Sequence, residues 1–291
     1  MSAGSLGANT LGVLAGCVLF GALAGAVGTF VLARRRALVA DVAGHAALPG
    51  IALAFLAGEA LGLGGRTPWL LLAGGACTAL LAAWCVAILS RWRRVGADGA
   101  LAVSLAGFFG LGAVLFSVVQ SHPAGSQGGL RTLLLGSAAA MGHSEVLTLA
   151  ALACATLVLL VAFSKELALV AFDEEFARTA GLPVRRLDLL LTLLLVAAVV
   201  AGMQLAGIVL VVAMLIAPAA AARNIGVWTQ GRLGGVTCIA ALIGALSAAI
   251  GVFASRSTAG VPTGAAMTLA AAATFLATIP LARTADRSAR A

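Results

Sequence analysis

The sequence predicts an all-α, polytopic transmembrane helical bundle of about nine spans, with eight the alternative, N-terminus outside and C-terminus inside. Three observations carry that reading. Hydrophobic residues fill 62% of the 291 positions and charged residues only 10%, where soluble domains carry roughly a quarter. Mean hydropathy is +1.12. The apolar residues also gather in runs of about 20, the length that crosses a bilayer as a helix. Residues 1–291 therefore read as a single transmembrane domain.

The runs cover 11–33, 45–63, 69–90, 99–119, 145–163, 187–222, 233–253 and 264–282. The first lacks a basic segment before it, so it reads as a span and not as a cleaved signal. The 187–222 run is long enough for two short spans joined by a tight turn, or for one span with a re-entrant piece. Gly202-Met203-Gln204 lies near its middle. Short-loop cations arbitrate, because they favour the cytoplasmic side. With Arg34–Arg36 inside, Arg91, Arg93, Arg94, Lys165, Arg178, Arg185 and Arg186 also fall inside. Splitting the long run keeps Arg223, Arg232 and the tail arginines 283, 287 and 290 inside as well, leaving only Arg66, Arg131 and Arg256 outside. The formal charge of +8 is thus a topology signal, with no nucleic-acid patch behind it. Two segments lie between spans: a Gly-rich outer loop at about 121–144, and a charged inner segment at about 164–188.

Chemistry concentrates at the start of the second run. Asp41 and His45 stand four apart, so a helix places both on one face. Ionisable residues are costly in a bilayer and usually line a pathway there. A carboxylate with an imidazole suits a divalent transition metal. A helix-end carboxylate beside an interfacial histidine is the structural alternative. Pro49 removes the helical bond to the carbonyl of His45 and frees that oxygen for water or an ion.

Several functions are not written here. The single lysine, Lys165, has no Walker loop around it, so this chain does not hydrolyse ATP by that route. No nucleophile elbow, zinc-protease helix or dinucleotide fingerprint is present, and the chain does not read as an enzyme. Cys17, Cys77, Cys85, Cys154 and Cys238 are isolated and read as buried packing thiols. His122, His143, Glu59 and Glu145 read as loop or interfacial residues, and Gln204 as either a pathway or a turn residue.

The inner segment predicts a short helix with its own stops. Asp173 is a good N-cap, and Glu174 and Glu175 suit the helix dipole. Phe176, Ala177 and Ala180 are expected on one side. Gly181 supplies a left-handed C′ residue, and Pro183 blocks continuation. The surface displayed is an ordinary interfacial loop or a docking element for a soluble partner.

These segments resemble the permease subunit of ATP-binding-cassette importers for manganese, zinc or iron. The matching residues are Asp41-Val-Ala-Gly-His45-Ala-Ala-Leu-Pro49-Gly50, Gly125-Ser-Gln127 to Gly136, Phe172-Asp-Glu-Glu-Phe176-Ala-Arg-Thr-Ala-Gly181-Leu-Pro183, Gly207 to Arg223, and Pro262-Thr-Gly264. The likeness runs from about residue 10 to 282. It implies two permease copies in a prokaryotic cell membrane, two cytoplasmic ATP-binding subunits, and an extracytoplasmic metal-binding protein. It further implies that Asp41 and His45 serve the metal pathway. Phe172, Asp173, Glu174, Glu175, Phe176, Ala177, Gly181, Leu182 and Pro183 then couple to the ATPase. One departure stands in the outer motif, where Arg131 replaces an acid common in the family. No resident cofactor is implied; the divalent metal is cargo. Two other readings compete: a proton-coupled secondary transporter, and an ATP-driven permease of the siderophore or vitamin B12 type.

Overall fold

A computed structural model describes residues 3–62, 67–121, 143–226, 233–257 and 261–288. In order, the helices are α1 (Ala3–Ala33), α2 (Ala37–Ala60), α3 (Pro68–Leu89), α4 (Gly96–Ser121), α5 (His143–Ala162), α6 (Ser164–Phe172), α7 (Glu174–Thr179), α8 (Val184–Ala206), α9 (Ile208–Gly226), α10 (Leu233–Ser257) and α11 (Thr263–Ser288). Seven of these, α1–α4, α8, α10 and α11, are long and apolar enough to cross a membrane. The pair α5–α6, bent by 63°, makes an eighth if taken as one span. The apolar part of α9, Leu210–Ile225, is shorter.

The exterior confirms which solvent the fold expects. Val114, Leu242, Leu246 and Leu269 are each more than half exposed, a pattern suited to hydrocarbon rather than water. Trp69 and Trp92, also exposed, flank α3 at its two ends, where aromatic rings settle at membrane–water boundaries. Among the five cysteines, Cys77, Cys154 and Cys238 are exposed on this apolar exterior, and only Cys17 is fully buried, which corrects the expectation of buried thiols.

The long run does divide, at Gly207 and not at Gly202–Gln204. Gly207 takes φ 87° and ψ 159°, a conformation that a side chain resists. Gly202 instead sits inside α8, where a Cβ would strike the ring of Phe20 and the side chain of Val211. The inner segment also differs from expectation: residues 164–172 form helix α6, with Leu167 and Val170 buried.

Helices α1, α2 and α8 are the most enclosed, and α4 and α11 the least. Helix α1 packs along α10 and also meets α9, α5 and α8; α2 packs along α3 and α4. The α1–α10 contact rests on small residues. A Cβ on Gly21 would run into the carbonyl of Gly244, so the two backbones touch. This packing carries the tight α1–α2 turn, and with it the start of α2, against α6, α7 and α8.

Candidate functional site

Helix α2 starts at Ala37, so Asp41 lies about 6 Å and His45 about 12 Å from its beginning. The pair therefore spans the stretch between the basic end of the helix and its middle, with Asp41 nearer the end and His45 nearer the middle. Nε2 of His45 is 3.6 Å from Oδ1 of Asp41, with side chains 22% and 39% exposed. That separation is too long for a hydrogen bond, and it leaves both donors turned towards a shared space. Nδ1 of His45 is buried and has no hydrogen-bond partner among the described residues.

Helix α4 orients this site, which sequence spacing did not foresee. The ring of Phe109 stands perpendicular to the His45 imidazole, with centroids 5.2 Å apart. Beside it, Leu101, Leu105 and Phe108 pack on Val42, Ala46, Ala82 and Val86. One turn further, Gly112 lies against Leu48 and Pro49. The spacing of Leu101, Leu105, Phe108 and Gly112 marks one helix face in the sequence, but nothing there names α2 as its neighbour. Among the described residues no group of three or more His, Cys, Asp or Glu that could hold a metal ion gathers. Chemically, the pair can share a proton or take one divalent ion between an oxygen and a nitrogen.

At the basic end, α7 forms with the expected stops. Asp173 accepts a hydrogen bond from the Phe176 N–H at 2.8 Å. Gly181, at φ 81°, closes the helix: its N–H donates to the carbonyl of Arg178, and the Leu182 N–H to that of Ala177, both at 3.0 Å. This double return is the Schellman closure, which needs the left-handed residue that glycine supplies. The expected face is split, however. Ala177 is buried, while Phe176, Ala180 and Phe172 stay exposed, because residues one apart on a helix diverge by about 100°.

An ion-pair group that sequence reasoning missed surrounds α7. Arg34 pairs with Asp188 at 2.7 Å and with Glu174 at 3.1 Å, and Arg36 pairs with Asp188 at 2.9 Å. Glu174 also pairs with Arg178. The Arg34 guanidinium, and then that of Arg178, hold the Glu174 carboxyl below its ordinary value. A cavity of about 550 Å³ opens beside the group, lined by Arg91, Arg178, Arg185 and Arg186 together with Glu174 and Asp188. The charges were visible in the sequence. Their pairing, across 140 to 154 positions, was not.

Of the other sequence candidates, Glu59 and Gln204 stay apart from both places. Glu59 is half-buried near the far end of α2, and Gln204 half-buried in α8. His143 and Glu145 belong to α5, although their side chains lie outside the described residues, as do His122, Gln127, Arg131 and Gly136 altogether.

Known proteins resemble this chain over most of its length. The model of the ABC 3 transport family matches residues 8–282. The manganese transport system membrane protein MntC of Bacillus subtilis (strain 168) is 40% identical over 268 residues; the match takes in 92% of this chain and 60% of that protein. The zinc transport system membrane protein TroC of Treponema pallidum (strain Nichols) is 34% identical over 269 residues, 92% of this chain and 87% of that one. Among solved structures, PsaBC from Streptococcus pneumoniae in complex with Fab is similar at a TM-score of 0.79 and 30% identity, covering 92% of this chain and 90% of that chain. An all-helical membrane bundle matched over nearly its full length in this way is a member of the ABC 3 transport family.

Proposed function

We propose that this chain is the permease subunit of an ATP-driven importer for a divalent metal ion, with the ATPase on a separate chain. The observation that carries the proposal is the Asp41–His45 geometry. Two ligands of one ion at about 2.1 Å stand roughly 3.0–3.4 Å apart in octahedral or tetrahedral shells. Their donors here are 3.6 Å apart, so small side-chain rotations bring both onto one ion. Among the described residues of one chain these two ligands stand without a third, and Asp41 is 39% exposed. A second copy across a two-fold axis supplies the other pair, and water completes the shell. Such an incomplete shell suits an ion in transit, which must bind and then leave.

In this reading the chain is one domain, 1–291, crossing the membrane nine times with α9 as the short span and α5–α6 as the bent one. The basic end faces the cytoplasm, where exposed Phe172 and Phe176 on the α6–α7 surface offer the ATP-binding subunit apolar anchors. An extracytoplasmic binding protein delivers the ion from the opposite side. The carbonyl of His45, relieved of its helical bond by Pro49, joins the pathway. Manganese is the first candidate as cargo: the donors are oxygen and nitrogen with no thiol, and the Bacillus subtilis relative is named for that metal.

Radiolabelled manganese and zinc uptake tests this, in cells lacking their own importers and expressing the chain with its ATPase. Asp41→Ala and His45→Ala should each abolish uptake of the same metal at unchanged membrane levels. Full uptake in both variants would reduce the pair to a structural role.

A further inference from the structure

The two places singled out by sequence, the α2 pair and the α7 segment, are joined in space by residues that belong to neither. Arg34 and Arg36 leave the α1–α2 turn on either side of Arg35. Nη2 of Arg34 donates to Oδ1 of Asp188 at 2.7 Å, and Nη2 of Arg36 donates to Oδ2 at 2.9 Å. One carboxylate thus holds two guanidiniums. Nη1 of Arg34 donates both to the Val170 carbonyl at 2.9 Å and to Oε2 of Glu174 at 3.1 Å. A single arginine side chain therefore ties together α6, the first residue of α7 and the second turn of α8.

Two further features show that this contact is built into the turn. The Arg34 side chain is only 12% exposed, so its charge depends on these acceptors, and losing one strands a largely buried cation. Arg35 takes φ 54°, a conformation that a non-glycine residue keeps only where its surroundings demand it. With Arg35 turned out to solvent, both its neighbours reach the same carboxylate.

Arg36 is also the residue immediately before α2, and Asp41 follows five positions later, about 7.5 Å along the same helix. A hydrogen-bonded helix carries displacement along its axis, so whatever holds Arg36 sets the position of Asp41 and His45. We infer that Asp188 is a positioning residue for transport: it clasps the start of α2 to the α7 segment, so that movement of α7 is delivered to the Asp41–His45 pair. This rests on the permease reading above. It assigns the link to one carboxylate instead of to general packing.

The test uses the chain assembled with its ATPase in proteoliposomes, with manganese uptake and ATP hydrolysis measured on the same vesicles. Asp188→Asn keeps the shape and removes the charge. Manganese moved per ATP hydrolysed should fall about tenfold while hydrolysis persists. Asp188→Glu should recover most of that ratio. Arg36→Gln, which leaves every Arg34 contact intact, should lower the ratio in the same direction, and it keeps the question answerable if Asp188→Asn does not assemble. An unchanged ratio in the variants that assemble, Arg36→Gln alone if Asp188→Asn does not, overturns the clasp and leaves an ordinary structural ion pair. If the intact chain with its ATPase moves neither manganese nor zinc, the permease reading itself fails, and the clasp with it. Uptake by the intact chain with unaltered ratios in the variants overturns the clasp alone.

Discussion

Gly112 leaves no room for a side chain beside Pro49: an added Cβ would come within 2.8 Å of the Leu48 Cβ and 2.9 Å of the Pro49 Cδ. Neither neighbour is the free end of a flexible chain, so α4 itself has to shift. Gly112→Val should therefore cost about 1–3 kcal/mol through overpacking. It should also draw Phe109, three residues earlier, away from the His45 ring. Thermal unfolding of the detergent-solubilised protein checks the first effect, and the uptake assay the second. Unchanged melting together with unchanged uptake would show that α4 does not support the site. At this scale the sequence was informative where chemistry follows chain spacing: Asp41 and His45 share a face because a helix repeats every 3.6 residues. It was silent on Phe109, because ring contact depends on a neighbouring helix.

Helix α7 shows how much of an element is written locally. Its cap Asp173, its closing Gly181 and its blocking Pro183 act on backbone within a few residues, so all were legible. Six residues would not hold a helix alone; the buried Ala177 and the Glu174–Arg34 pair secure it to the bundle. That pair has a pH signature. The Glu174 carboxyl is held below its ordinary value near 4.5, first by the Arg34 hydrogen bond. A lowered folded value means that its stabilising contribution is complete above the unfolded value and is lost as pH falls through the folded one. The wild-type melting temperature should thus carry no Glu174-dependent change from neutrality down to about pH 5, and should fall below that. Glu174→Gln should flatten that acid fall; an identical acid profile in the variant would contradict the assignment. Helix α8 shows the opposite case. Hydropathy left 187–222 open to two short spans or to one span with a re-entrant piece, and the helix break falls at Gly207, where backbone geometry and not polarity decides.

Across the whole molecule, α1 and α10 meet backbone to backbone at Gly21 and Gly244. Gly244→Leu should force the helices apart at a cost of more than about 2 kcal/mol. Gly107→Leu is the matched control, since nothing lies within 4 Å of its added Cβ. Melting of both variants side by side checks this: equal melting would mean that the α1–α10 contact does not hold the bundle. By itself the sequence determined the all-helical membrane class, the cap and stop of α7, and the shared face of Asp41 and His45. Each of these follows from residues within a few turns of one another. Only the tertiary structure decided that α4 walls the pair and that Asp188 holds Arg34 and Arg36. Those outcomes depend on which helices lie side by side, and a periodic apolar pattern tells a helix that it must be covered without saying by what.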